Sequence, residues 1–206
     1  MAARRAQRVV LLHRSSDWFP SVPLCSASRH SVWESVSSFR NKPSRHHDLA
    51  LQPQDIVDRL TTRFDGLAPK ASWGETSLFY NPNLALTNGV YFCTVKEHDG
   101  ANDKASRLDR EGVFRLALGL TVRSYEHLFG PRPARPPKSS AVVTGHDFTR
   151  LDIVMPHPVY AWMGWVQVLN PSEDTFASMQ PLFVESFDHV AGKFERALAR
   201  HQRHSQ

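Results

Sequence analysis

The 206-residue chain is 41% hydrophobic and 22% charged, the composition of a soluble globular protein able to bury a core without metal or disulfide support. Its net charge of +5 is unevenly spread: residues 1–47 hold eight Lys/Arg against Asp17 and Glu34 (+6), whereas residues 48–206 hold 17 Lys/Arg against 18 Asp/Glu (−1). The basicity belongs to the N-terminal segment, so charge gives no reason to expect nucleic-acid binding by the remainder.

Residues 1–47 are rich in Arg, Ser and His and carry no sustained hydrophobic period. Val9 to Leu12 is their longest apolar run, too short for a secretory signal or a membrane span. The expectation is a disordered basic tail or a transit peptide, ahead of one domain over residues 48–200 and a solvated tail at 201–206. That predicts an intracellular, cytoplasmic protein that does not engage membranes, with a mitochondrial address as the alternative carried by the tail. Cys25 and Cys93 have neither disulfide nor ligand spacing, which fits a reducing compartment.

From Gln52 the pattern changes. Pro53 opens a helix, Ile56, Leu60, Phe64 and Leu67 recur at helical spacing, and Gly66 stops it. Trp73 to Tyr80 and Gly89 to Lys96 read as strands, linked by NPNLALTNG with its Asn-Pro and Asn-Gly turn signals. After the polar HDGANDK and a short helix around Ala105 to Arg110, Val113 to Leu120 alternates as a third strand. Phe114, Leu116, Leu118 and Leu120 face a core there, and Val113, Arg115, Ala117 and Gly119 face a more open side.

Thr121 caps a helix containing Val122, Tyr125, Leu128 and Phe129, which Gly130-Pro131 ends. Residues 131–144 form a Pro-rich basic loop, in which Pro133, Pro136 and Lys138 match a loose polyproline recognition pattern; such loops commonly serve as spacers. Tyr160 to Leu169 reads as a strand covered on both faces. Asn170-Pro171 turns the chain, and Ser172 caps a final helix with Glu173 and Asp174 in its first turn. Phe176, Phe183, Phe187, Val190, Phe194 and Leu198 form its stripe, and Pro181 predicts a break near Gln180.

The resulting order is α-β-β-β-α-β-α. It predicts an α+β two-layer sandwich with a mainly antiparallel four-stranded sheet. The segments SWGETSLFYNP, GVYFCTVKEHD, RLDREGVFRLALGL, GHDFTRLDIVMPHPVY and GWVQVLNPSEDTF, in this order, resemble an uncharacterised family, number six-one-nine-four among the domains of unknown function, over residues 52–200. More distantly, the element order is similar to that of MmcQ/YjbR-like proteins. That similarity implies a fold and brings no catalytic residue with it.

Candidate chemistry gathers at His146, Asp147, Asp152 and His157. Imidazoles and carboxylates could serve as metal ligands, but their spacing matches no metal motif, so no metal or cofactor is expected. Pro156 and Pro158 fix the backbone around His157, which suits a positioned side chain. Arg115, on the more open side of its strand, either pairs with an acidic neighbour or floors an anion pocket. Trp73, Trp162 and Trp165 read as core residues. The leading expectation is a domain binding a small ligand or protein partner at a sheet-face pocket lined by His157, Tyr160 and Arg115. One alternative is an enzyme using acid–base or metal chemistry at His146, Asp147 and His157. A nucleic-acid module acting through the basic tail and loop is the third.

Overall fold

The computed structural model describes residues 51–72 and 74–204; the expectations for residues 1–47 and Trp73 fall outside them. Helix α1, Pro53–Arg63, starts with proline at its first position, where the missing N–H costs nothing. It ends before Gly66, and the chain turns directly into a strand. Leu67 therefore belongs to β1, Leu67–Ser72, instead of continuing the helical stripe.

β1 pairs antiparallel with β2, Glu75–Tyr80, and β2 with β3, Val90–Lys96. Leu78 lies opposite Cys93 but Phe79 lies opposite Tyr91, so Phe92 is one extra residue in β3. This bulge turns both Phe92 and Cys93 toward the core, while Tyr91 points to the opposite face with Phe79, ring centroids 4.2 Å apart. Strand β4, Arg115–Gly119, pairs with β3 and with β6, Trp165–Leu169; the short β5, Met155–Pro156, adds an edge beyond β6. The sheet is thus six-stranded and wholly antiparallel, in the order β1-β2-β3-β4-β6-β5, where four strands were expected. The two extra strands escape sequence reading because LAPKAS contains a proline and β5 is two residues long.

Helix α2, Val122–Phe129, is capped by Thr121, whose hydroxyl oxygen accepts from the Ser124 N–H at 3.1 Å. Ser172 caps α3, Glu173–Ser178, in the same way, and α4 runs over Gln180–His204. The break between α3 and α4 falls where Pro181 requires it, and the last helix runs on through residues 201–204, of which 201–203 are exposed. The expected helix at 105–110 is absent: the segment is a series of turns with Arg107 at φ +50°.

One sheet face meets α1 and α4. Leu78, Cys93, Val95, Leu116, Leu118, Val166 and Val168 point into this layer by strand alternation. The ring of Phe64 lies 4.8 Å from that of Phe187 and 5.5 Å from that of Phe92, and Phe183 packs 5.2 Å from Phe176. Among the described residues no helix covers the other face in the same way; the turns after β3 and the long segment before β6 dock there. Gln167, fully buried, accepts from Ser106 Oγ at 2.9 Å and donates to the Phe148 carbonyl at 3.3 Å, which fixes both segments to the sheet.

The strand predicted over Tyr160 to Leu169 is cut in two. Ala161–Met163 forms a single 3-10 turn, and Gly164 closes it at φ +87°, a conformation that glycine adopts without strain. Only Trp165–Leu169 joins the ladder, so Tyr160 sits on a turn beside the sheet. Trp162 and Trp165 are half-buried rather than core residues.

Candidate functional site

The register puts Glu75, Lys96 and Arg115 in one row across the outer face, with Ser77, Thr94, Ala117 and Gln167 in the next. Arg115 is 2% exposed, a correction to the open position expected for it. The turn after β3 brings Asp103 onto the guanidinium: Nη1 donates to Oδ1 at 3.0 Å and Nη2 donates to Oδ2. Lys96 Nζ lies 3.3 Å from Asp103 and 3.8 Å from Glu75. The pair is a buried bidentate ion pair, the geometry that planar guanidinium favours. Burial pushes the Asp103 carboxyl up, but the hydrogen bonds and charge of Arg115, with Lys96, outweigh it and hold the group well below the usual carboxylate range. Arg115 Nε is buried and has no hydrogen-bond partner among the described residues.

His157 feels the charges of this cluster. The His157 N–H donates to the Trp165 carbonyl at 3.0 Å, and Pro156 before it is the last residue of β5. The chain then folds over the ring: the N–H groups of Val159 and Tyr160 both donate to Nδ1, at 3.0 and 3.1 Å. An Nδ1 that accepts twice carries no proton, so the neutral ring has its proton on Nε2. The residue is 1% exposed. Burial first, then the charges of Arg115 and Lys96, drive its pKa well below the ordinary histidine value, with Asp103 opposing.

Tyr160 is 45% exposed, and its ring lies 4.9 Å from that of His157 and 6.5 Å from that of Trp165. Burial and the charges of Asp103 and Glu75 raise its pKa. His157 and Tyr160 are thus in ring contact and Arg115 is paired with Asp103, the two pairs being linked by charge. Neither His157 nor Arg115 lines either of the two depressions that meet at Val159. The structure does not add His146 and Asp147 to these pairs. His146 is exposed, with Nδ1 3.1 Å from Thr144 Oγ1 and its ring 6.0 Å from that of Phe129. Asp147 accepts from the N–H and hydroxyl of Thr149, an Asx turn that lowers its pKa. Asp152 accepts from the Ser172 N–H at 2.7 Å, supporting the last turn before α3. Among the described residues no group of three His, Cys, Asp or Glu could hold a metal ion. Cys93 is buried on the helix side, where burial pushes its thiol pKa up.

Two depressions meet at Val159, and Tyr160 lines one of them. One, of about 490 Å³, is lined by Lys104, Ala105, Ala141 and Val159 among others; the other, of about 440 Å³, runs between the Pro-rich loop and the turn at Val159–Trp162, with Tyr160, Trp162, Arg135 and Lys138 on its walls. They share Asn102, Ser139, Ser140 and Val159, and Ser139 Oγ donates to Asn102 Oδ1 at 2.6 Å between them.

Asp103, Lys96 and Glu75 are absent from the sequence-based site. Asp103 lies in a polar loop whose composition signals only a turn, and Lys96 and Glu75 end strands of unremarked pattern. The signal that existed was Arg115 itself, because a charge on a strand this apolar requires an acidic partner. No helix among the described residues is long and apolar enough to cross a membrane. No curated protein and no solved structure matches the chain. The model of a family of unknown function, DUF6194, matches residues 51–201, and the chain belongs to that family.

Proposed function

We propose that the domain binds a small polar ligand at the outer face of the sheet, with Tyr160 at the mouth of the site and His157, Arg115 and Asp103 as its fixed base. The observation that carries this reading is the setting of Tyr160: nearly half exposed, yet resting on a buried imidazole that two backbone N–H groups hold in place. An aromatic side chain on such a base loses little freedom when a ligand arrives, and it offers both an apolar ring and a hydroxyl.

Two further observations support it. Charges held under loops cost desolvation that a purely structural role would avoid with apolar residues, and Arg115 Nε remains a buried donor without a partner among the described residues. The depression of about 440 Å³ that Tyr160 lines falls within the range of roughly 300–1,000 Å³ common for small-molecule sites. An acid–base enzyme built on His146, Asp147 and His157 has weaker support, because His146 and Asp147 are exposed and engaged in their own local turns.

The test is a ligand-observed NMR screen of small polar compounds against the full chain, repeated with Tyr160→Ala. Binding lost in the variant at an unchanged melting temperature is the expected result. Compounds that bind the variant as tightly as the parent protein would overturn the assignment.

A further inference from the structure

Arg135 is the least expected side chain of the Pro-rich loop. Its guanidinium carbon sits 5.0 Å over the Trp162 ring, a cation–π contact that fixes the side chain across the 440 Å³ groove. Arg132, three residues earlier, donates to the Trp162 carbonyl at 3.4 Å and pairs with Glu126 at 3.6 Å. Arg135 has no such carboxylate partner among the described residues, and neither do Lys138 in the same groove or Lys104 in the adjoining depression. Neither depression has an acidic residue in its lining. Two cations on the groove and a third in the adjoining depression, with no carboxylate in either lining, form a local positive field on a domain whose residues 48–206 sum to −1.

We propose that this groove takes a small planar anion, an aromatic carboxylate or phosphate, whose acidic group meets Arg135 and Lys138 and whose ring lies against Tyr160. The proposal rests on the ligand-binding reading above and names its ligand class. Trp162 holds the guanidinium in one plane, so its N–H fork can receive two anionic oxygens side by side without first losing side-chain freedom. Tyr160 supplies the apolar wall. Asn102 and Ser139, joined at 2.6 Å, add polar groups where the groove meets the adjoining depression. The loop thus has a job other than spacing: Pro136 and Pro137 line the groove and hold Arg135 and Lys138 at its rim, with Pro136 half-buried there.

Three probes separate charge from shape in the full chain: 2-naphthoate, 2-naphthamide and inorganic phosphate, each titrated while the Trp162 indole and Tyr160 amide resonances are followed. The naphthoate should move both resonances and bind at least ten-fold more tightly than the uncharged amide. Arg135→Gln should remove that preference at an unchanged melting temperature, and Arg135→Lys should restore only part of it, since charge returns without the planar fork. Equal binding of naphthoate and naphthamide, with both lost in Tyr160→Ala, would overturn the anion class and leave the ligand-binding reading standing. Phosphate producing the same shifts as naphthoate at the same concentration would overturn the planar requirement. Naphthoate binding that Tyr160→Ala and Arg135→Gln both leave intact would overturn the groove altogether.

Discussion

The two faces of the sheet are built from opposite materials. Toward the helices, Leu116, Leu118, Val166 and Val168 meet a layer of Phe rings, and the packing follows regular strand and helix periods. Toward the loops, strands β2, β3, β4 and β6 present Glu75, Lys96, Arg115 and Gln167, and each is paired with a residue from an irregular segment or a neighbouring strand, with Arg115 Nε alone among their polar atoms left as a buried donor lacking a partner among the described residues. The first face gains stability from apolar area alone. The second gathers charges whose desolvation nearly cancels their attraction, so its worth lies in holding side chains at fixed positions.

The comparison breaks most directly at its apolar side. Phe183 is fully buried, and Phe183→Ala should cost about 3–5 kcal/mol in urea unfolding. Phe187, whose ring packs on Phe64 and Tyr80 but is only partly buried, should lose less on the same substitution. If the two losses rank the other way, the aromatic layer is not packed as described.

On the polar side, Asp103→Asn removes the carboxylate that holds Arg115 and should cost up to about 3–5 kcal/mol, because a buried guanidinium is then left without a counter-charge. Replacing both partners, Asp103→Leu with Arg115→Met, should recover that loss and could exceed the parent protein's stability, since an apolar pair needs no desolvation. A double variant as unstable as Asp103→Asn would mean that the pair contributes stability outright, and the contrast between the faces would weaken.

The smallest effect is the pH dependence. His157 stays neutral in the folded protein below the pH at which an unfolded histidine, with its ordinary value of 6.5, takes up a proton. The unfolded state therefore binds more protons as pH falls below about 6.5, and stability drops by up to about 1.4 kcal/mol per pH unit. His189, also lowered, adds in the same direction. His157→Asn keeps an acceptor near the two N–H groups but does not titrate, so its stability should fall less steeply between pH 6.5 and 5. Identical slopes for parent and variant would show that the imidazole is not shielded. Asp103 works at lower pH: its depressed carboxyl stabilises the fold above about 3.8, and that contribution disappears as pH falls through its folded value.

The helix-covered face was legible in the sequence because it follows fixed periods. Phe176, Phe183, Val190 and Phe194 are where a 3.6-residue repeat puts them, Thr121 and Ser172 cap as their type predicts, and Pro181 breaks the chain where its missing N–H must. The loop-covered face was only half legible. His157 between two prolines and a lone Arg115 on an apolar strand both stood out. Asp103 did not, because a partner twelve residues away in an irregular turn leaves no periodic trace. The strand pattern misleads at Tyr160: the residue sits on a turn that Gly164 ends, and no propensity scale distinguishes that turn from the strand after it.

The bulge at Phe92 bears on how this gene can change. With Leu78 opposite Cys93 and Phe79 opposite Tyr91, Phe92 is the one residue of β3 that has no counterpart on β2. Loss of its codon would leave Tyr91 and Cys93 adjacent, already on opposite faces and already facing their present partners. Such a deletion removes an aromatic ring from the helix layer but keeps the ladder in phase. Loss of the Thr94 codon shortens the protein equally, yet it forces one half of the strand to turn inside out or slip against both neighbours. Single-codon deletions at 92 and 94 therefore differ in kind, and lineages of this family that shorten β3 should do so at 92.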